Sequence, residues 1–390
     1  MSASPSTTAS GEGSVVSTPT ASHEPGATIG VEEEFHIVDP ETGDLRAGAR
    51  ALLASRAEVE PELHRTMIET ATDVHEGLAT LREDLVARRG QLVTAARALG
   101  LGVVASGTVP GSGGSVVRVF PKSRYEWIHE EYRQLVAEQQ VCACQVQVGV
   151  PDRDLAVRVT RRVRGWLPTL LAMSASSPMF RCADTGYASY RTVAISRWPT
   201  VGPPPDVRSA DEYDRLVESL VGSGVIKDAG MIYYDARPSA RYPTVEVRIA
   251  DGCPDLDDVV LLAALSRALV ATAAAAEGEA TDGAVYRAGP LAEAPVELVR
   301  AATWRAARSG LEQDLVDPFT ARAVPAEKLV EALLEHVRPD LTARGEWPLV
   351  RDLVDRLLAR GTSAQRQRAL LTAGASDAEL VADLVATTAG

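Results

Sequence analysis

Four short segments of this chain each alternate an apolar side with a side that carries acids or amides, and that pattern restricts the fold more than anything else in the sequence. In residues 29–38, Val31, Phe35 and Ile37 oppose Glu32, Glu34 and His36, and a turn at Asp39-Pro-Glu-Thr-Gly43 closes the segment. In residues 66–72, Glu69 shares a side with Met67 and Ala71 and opposes Ile68, Thr70 and Thr72, the weakest instance. In residues 141–150, Cys144, Val146 and Val148 oppose Gln145 and Gln147; in residues 244–250, Val245, Val247 and Ile249 oppose Thr244, Glu246 and Arg248. Side chains alternate between the two faces of a strand, so each segment offers one face to a core. Strands with a single apolar face belong to a mostly antiparallel sheet covered by helices on one side only.

Between these strands the spacing predicts helices. Leu78, Leu81, Leu85, Leu92, Ala96 and Leu99 recur at helical intervals up to Gly100, and Asp73-x-x-Glu76 reads as a capping box ahead of them. Further helices are expected near residues 123–140, over 154–176 with a bend at Pro168, and over 211–222; strands are expected over 101–106 and 231–235. Residues 177–210 read as a long irregular stretch carrying Tyr190, Arg191 and Trp198, a length that usually signals function. The last 130 or so residues read as mainly helical. The apolar run 259–276 is interrupted by Ser266, Arg267 and Thr272, so a buried helix is expected there and no membrane span. Residues 1–28, rich in Ser, Thr, Ala, Gly and Pro, read as a disordered tail, and residues 29–390 as one catalytic domain.

Charge narrows the function. Forty Lys and Arg against 53 Asp and Glu give a net charge of -13, which argues against nucleic acid as a partner. Lysine is confined to Lys122, Lys227 and Lys328, so any phosphate chemistry falls to arginine, backbone amides or a metal. Four cysteines, Cys142, Cys144, Cys182 and Cys253, have neither the number of a disulfide scaffold nor the spacing of a zinc knuckle, which suits a reducing cytoplasm. Two readings of the acidic strand faces stay open on spacing alone. They could meet water, as alternating faces usually do; or they could hold a hard divalent cation, which would relieve the repulsion between neighbouring glutamates and prefers carboxylate and amide oxygens. Gly107 to Ser115 lacks the Lys-Ser/Thr ending of a P-loop and reads as a loop, and Cys142 and Cys144 share the apolar side of their strand and read as core. Arg305 and Arg308 read as a solvated helix face.

A series of motifs then carries a resemblance. Gly30-Val-Glu-Glu-Glu-Phe35, Trp166-Leu-Pro-Thr-Leu-Leu-Ala-Met-Ser-Ala-Ser-Ser-Pro178, Asp184-Thr-Gly-Tyr-Ala-Ser-Tyr-Arg191, Asp235-Ala-Arg-Pro-Ser239, Tyr242-Pro-Thr-Val-Glu-Val-Arg-Ile-Ala-Asp251 and Trp304-Arg-Ala-Ala-Arg308 together resemble the bacterial carboxylate-amine ligases, also called glutamate-cysteine ligase type 2. The resemblance runs from about Thr28 to Pro318. It implies an α+β, glutamine-synthetase-like fold, in which a curved antiparallel sheet forms a funnel with helices on its outer face. It also implies ATP-dependent joining of a carboxylate, typically glutamate, to an amine such as cysteine, through an acyl phosphate and with Mg²⁺ or Mn²⁺. On that resemblance Glu32, Glu34, Glu69 and Glu246 are expected to hold metal and nucleotide, and Arg248 to face phosphate. Gln145 and Gln147 are expected beside the nucleotide, and Arg191 and Arg237 to neutralise developing charge or grip the substrate carboxylate. A homo-oligomer is compatible with this.

Four positions depart from the family pattern. Gln145-Val-Gln147 stands where two histidines are usual, although it resembles the Gln-Val-Asn of plant-type and actinobacterial glutamate-cysteine ligases. Val109 stands where the family has His in Gly-Thr-His-Pro, and Ala302 where it tends to have Asn. The departures leave a second expectation alongside the ligase, a catalytically silent homologue that binds nucleotide or amino acid; a metal-dependent hydrolase is the remaining alternative.

Overall fold

The computed structural model describes residues 24–111, 118–281 and 294–390. Residues 1–23 of the expected tail and residues 112–115 of the Gly/Ser-rich loop therefore lie outside the described residues. Residues 24–28 are not tail: Gly26 N donates to Gly149 O at 2.8 Å and Gly149 N to Thr28 O at 2.9 Å.

The strands are β1 (Ile29–Val38), β2 (Glu60–Pro61), β3 (Met67–Ala71), β4 (Gly102–Val104), β5 (Cys144–Gly149), the hairpin β6–β7 (Met179–Phe180 and Ala183–Asp184), β8 (Ala236–Pro238), β9 (Thr244–Val247) and a second hairpin β10–β11 (Leu315–Asp317 and Arg322–Val324). Seven of them form one antiparallel sheet in the order β2-β3-β1-β5-β9-β8, with β4 also paired to β1. Its long central strand is β1, which pairs along its length with β3, β4 and β5. The four alternating segments read from the sequence thus lie side by side, and period-2 geometry sends their apolar residues to one face.

Helices cover that face. Val31, Val146, Val148, Val245 and Val247 join the largest core, whose centre is the helix Leu256–Thr281, and Phe35 and Ile37 pack with Leu92 and Ala96 of the helix Leu78–Ala98. Burying each such side chain stabilises by roughly 1.5–3 kcal/mol relative to exposure. The helix Leu256–Thr281 is the one stretch among the described residues with the length and apolar content of a membrane span, and its residues Val259 to Val270 are buried within this core. Glu33, on the apolar side of β1, is compensated by Arg89, whose guanidinium reaches Glu33 Oε1 at 2.5 Å and the carbonyls of Cys253 and Pro254 at 2.7 Å. That buried pair fixes β1 to the helix Leu78–Ala98 and to the turn before the helix Leu256–Thr281.

Several local expectations are corrected. No capping box forms at Asp73, because the helix begins at Leu78 with Gly77 at its N-cap. Pro168 does not bend a helix; it stands in the first turn of the helix Leu167–Ser174, where its missing N–H costs nothing, and a separate helix spans Arg153–Val163. The helix near residues 123–140 is two, Ser123–Tyr132 and Gln134–Ala137, divided at Arg133 with φ of 51°. Residues 231–235 are not a strand. A 3₁₀ turn occupies Ala229–Met231, and the strand follows at Ala236–Pro238. The supposedly irregular stretch 177–210 contains the hairpin β6–β7 and the helix Tyr190–Ile195.

Candidate active site

Strand register sets the polar residues of the sheet in rows. Glu60 lies opposite Glu69, and Glu69 opposite Glu34. In the next row Glu32 lies opposite Gln145. In the third, Gln147 lies opposite Glu246, and Glu246 opposite Arg237. Arg248, two residues beyond Glu246, turns the same way. Three rows of acids and amides, flanked by two arginines, therefore occupy the sheet face opposite the helices Leu78–Ala98 and Leu256–Thr281.

The side chains are tied to one another. Gln145 Nε2 donates to Glu34 Oε1 and Ala143 N to Glu34 Oε2, both at 2.7 Å. Gln147 Nε2 donates to Glu32 Oε1 at 3.2 Å, and its own carbonyl accepts from Thr244 Oγ1 at 2.6 Å. Arg237 grips Glu246 through Nε at 2.8 Å and Nη2 at 3.2 Å, and Arg248 Nη1 donates to both Glu246 Oε1 and Gln145 Oε1. The Arg248 guanidinium also lies 5.8 Å from the centre of the Tyr233 ring.

Two electrostatic regimes share this face. Burial alone would push the Glu246 carboxyl up, but Arg248 and Arg237 outweigh it and hold it at about 2. At Glu32, Glu34 and Glu62 the pull of Arg191 and Arg248 does not outweigh burial. Burial and then Glu62 push Glu34 up to about 7. Burial, and then repulsion from Glu62, Glu32, Glu34 and Glu60, raises Glu69 well above the ordinary carboxylate range. Glu32 is raised by burial and Glu246, and Glu62 by burial. A group of crowded carboxylates that ionise reluctantly is what a divalent cation stabilises, and oxygen donors of this kind suit Mg²⁺ or Mn²⁺. The donor chemistry thus fits a hard cation at Glu32, Glu34, Glu62 and Glu69 better than at Glu246, which two guanidiniums already neutralise. As the side chains stand, no group of three or more His, Cys, Asp and Glu among the described residues forms a closed metal site.

A cleft beside the rows is lined by Glu34, Glu62, Arg191, Arg248, Trp198 and Tyr233. Arg191 enters from the helix Tyr190–Ile195 and donates through Nη1 to Ile249 O and through Nη2 to Arg248 O, each at 3.1 Å. The structure therefore brings Glu32, Glu34, Glu69, Gln145, Gln147, Arg237, Glu246 and Arg248 onto one face and sets Arg191 at its edge. His36 sits in the same row set, but it is fully buried, and desolvation pushes it down to about 4, so it is neutral. Sequence reading missed Glu62, which follows the edge strand Glu60–Pro61; the acids two apart in Glu60-Pro-Glu62 were the available signal, masked by the proline. It also missed Tyr233, which nothing in the local pattern marks, whereas Trp198 belongs to the stretch 177–210 read from the sequence as functional.

The family departures have local explanations. Gln145 and Gln147 act as amide donors to Glu34 and Glu32. Val109 does not face the site; it is buried with Val38, Leu45, Val104, Val381 and Leu384, the last two from the helix Asp377–Ala389. Ala302 is buried in the helix Val296–Ser309. In the same helix, Arg305 lies over the ring of Trp304 and Arg308 over that of Tyr187.

The sequence profile of the family described as glutamate-cysteine ligase family 2 matches residues 28–386. A Mycolicibacterium smegmatis protein provisionally named glutamate-cysteine ligase 2-2 is 47% identical over 365 residues, which cover 93% of this chain and 90% of the relative. A Frankia alni protein provisionally named glutamate-cysteine ligase 2-3 is 48% identical over 343 residues, covering 87% of this chain but 39% of the relative. The chain spans about two-fifths of the first curated relatives it matches, those from two Frankia species. Among solved structures, the Francisella tularensis glutamate-cysteine ligase in complex with AMP superposes with a TM-score of 0.66 at 10% identity, over 93% of this chain and 88% of that one. The bifunctional glutathione synthetase of Pasteurella multocida gives 0.65 at 17% identity, over 93% of this chain and 52% of that one. These two structural likenesses concern the fold.

Proposed function

Because this chain belongs to glutamate-cysteine ligase family 2, we propose that it is an ATP-dependent carboxylate-amine ligase, with residues 29–390 as its catalytic domain. Glutamate is the proposed acid and cysteine, or another small amine, its acceptor. The sheet, with helices on one face and polar rows on the other, is read as a glutamine-synthetase-like funnel. Four unpaired cysteines suit a reducing cytoplasm.

The chemistry asks for what this face offers. A carboxylate is a poor electrophile until one oxygen takes the γ-phosphoryl group of ATP; an amine then attacks the carbonyl and phosphate leaves. Both steps move negative charge among phosphate oxygens, so fixed positive charge lowers both barriers. Glu32, Glu34 and Glu69, with Glu62, are the proposed holders of Mg²⁺ or Mn²⁺, which when bound would neutralise the phosphates. Gln145 and Gln147 fix the glutamate orientations through the amide hydrogen bonds described above and line the nucleotide side.

Arg248 and Glu246 have a linked role. Each neutralises the other in the absence of ligand, so Arg248 can turn to a phosphate only as Glu246 gains another positive partner. Arg237 keeps Glu246 ionised meanwhile. Arg191, at the cleft wall, is the proposed clamp for the substrate carboxylate, as planar bidentate recognition favours arginine.

One observation carries this reading: the crowded, reluctantly ionising carboxylates beside an arginine-clamped glutamate on the polar face of the sheet. The test is ADP release, which should require ATP, a divalent cation, an acid and an amine together. Release without the amine would indicate hydrolysis. A silent binding homologue is the second reading. It rests on Glu32 and Glu34 being engaged by amides where the family has histidines, and nucleotide binding without turnover over a broad amine panel would favour it.

A further inference from the structure

Behind Arg191 lies a buried acid that the proposed reaction does not use. Asp251 follows β9 and has no exposed surface. Its Oδ2 accepts from Ser177 Oγ at 2.7 Å and Ser176 N at 3.0 Å, and its Oδ1 accepts from Ser189 Oγ at 2.7 Å. Arg191 Nη1 stands 3.8 Å from Oδ1.

Each serine passes this on to Arg191. A hydroxyl has a single proton, and an ionised carboxylate only accepts, so Asp251 dictates which way both hydroxyls point. Ser177 Oγ, with its proton committed to Asp251, accepts from Arg191 N at 3.1 Å. Ser189 Oγ, likewise committed, caps the helix that carries Arg191 by accepting from Thr192 N at 3.4 Å. At the far end the two terminal nitrogens of Arg191 are held by the carbonyls of Arg248 and Ile249, just ahead of Asp251 in the chain.

The surroundings keep this carboxylate dry. A Cβ at Gly107 would lie 2.7 Å from Asp251 Cγ and 2.8 Å from Ser177 Oγ, so the backbone there closes over the acid in a way only glycine allows. Ser176 O is in turn held by Gln367 Nε2 at 2.7 Å, from the helix Ser363–Thr372. Burial pushes this carboxyl up, and Arg191 with the hydrogen bonds from Ser176, Ser177 and Ser189 opposes that rise, so the acid and the neighbouring buried guanidinium are matched to each other.

We propose that Asp251 is a positioning residue: through Ser177 and Ser189 it fixes the backbone and guanidinium of Arg191 at the wall of the cleft, so that this arginine meets the substrate carboxylate in one preset orientation. The role in substrate binding rests on the ligase reading; the fixing of Arg191 does not. It also explains why motif segments far apart in the chain, around Gly107, Ser177, Arg191 and Asp251, converge on one carboxylate.

The test is a double-mutant cycle read with a structure. Asp251→Asn keeps the shape and removes the charge. It should raise KM for the acid substrate by about 10-fold or more while kcat and the KM for ATP change less. In an Arg191→Ala background the same substitution should add little, since Asp251 acts through Arg191. Multiplicative losses would overturn the proposal. A crystal structure of Asp251→Asn should show the Arg191 guanidinium released from the carbonyls of Arg248 and Ile249; an unmoved guanidinium would overturn it whatever the protein catalyses. Should Asp251→Asn not fold, Ser177→Ala supplies the same two readouts. A wild type that releases no ADP defeats the ligase reading alone, and the crystallographic result still decides the fixing of Arg191.

Discussion

Adding a divalent cation to the nucleotide-free protein should release protons. Glu34 is pushed from 4.5 to about 7 by burial and then by Glu62, so at pH 6.5 it is roughly three-quarters protonated. Glu69 is raised in the same direction, by burial and four neighbouring carboxylates. A cation binds these groups only as carboxylates, so binding at Glu34 should expel about one proton. The linked stability has a definite sign. For an acid whose pKa is raised by folding, the favourable neutral state is fully present below 4.5 and is lost as pH rises through 7, which for Glu34 amounts to about 3 kcal/mol. Tm should therefore fall between pH 4.5 and 7 without the cation, and Mn²⁺ should flatten that fall by favouring the ionised folded form near pH 7. Titration calorimetry with Mn²⁺ at pH 6.5 in two buffers of different ionisation enthalpy gives the proton count directly, and Glu34→Gln should lower it by about one. Mn²⁺ binding with no proton release would refute the assignment of these carboxylates.

Other perturbations test separate parts of the structure. Glu246→Gln leaves Arg237 and Arg248 uncompensated, so ADP release should fall by about 10²-fold or more and stability by about 3 kcal/mol; turnover above a tenth of wild type would remove Glu246 from the machinery. Replacing Arg89 with Met strands the buried Glu33 and should cost about 3–5 kcal/mol in urea unfolding, whereas replacing both partners with Leu should recover most of it. Val109→His forces a polar ring among Val38, Leu45, Val104, Val381 and Leu384, so it should lower stability by about 2 kcal/mol without raising ADP release; a gain in turnover would mean that this position does reach the site.

The sheet was legible because alternation is a local signal. β1 matches its expected bounds, and Glu32, Glu34, Gln145, Gln147, Glu246 and Arg248 were put on one face by period-2 geometry alone, before any register was known. What alternation cannot report is pairing order. Hence nothing in the sequence said that Glu69 would stand opposite Glu34, or that Arg237 would reach Glu246 from the neighbouring strand. Glu62 was hidden because Pro61 disguised an edge strand of two residues. Asp251 was quoted only as the end of a motif; its serine partners lie 62 to 75 residues away in sequence, beyond the reach of any spacing argument. Gly77 opens a helix where an acid pair, Asp73 and Glu76, pointed to an earlier start, and Pro168 stands in the first turn of a new helix where a bend in one long helix was expected.

Activation of a carboxylate by phosphoryl transfer leaves an isotopic record. Glutamate labelled with ¹⁸O in its side-chain carboxyl, incubated with ATP, Mg²⁺, cysteine and the protein, should yield ADP, an amide product by mass spectrometry, and inorganic phosphate carrying one ¹⁸O for each amide formed. Phosphate free of label, or ADP formed with no amide from any acid and amine supplied, would contradict the account.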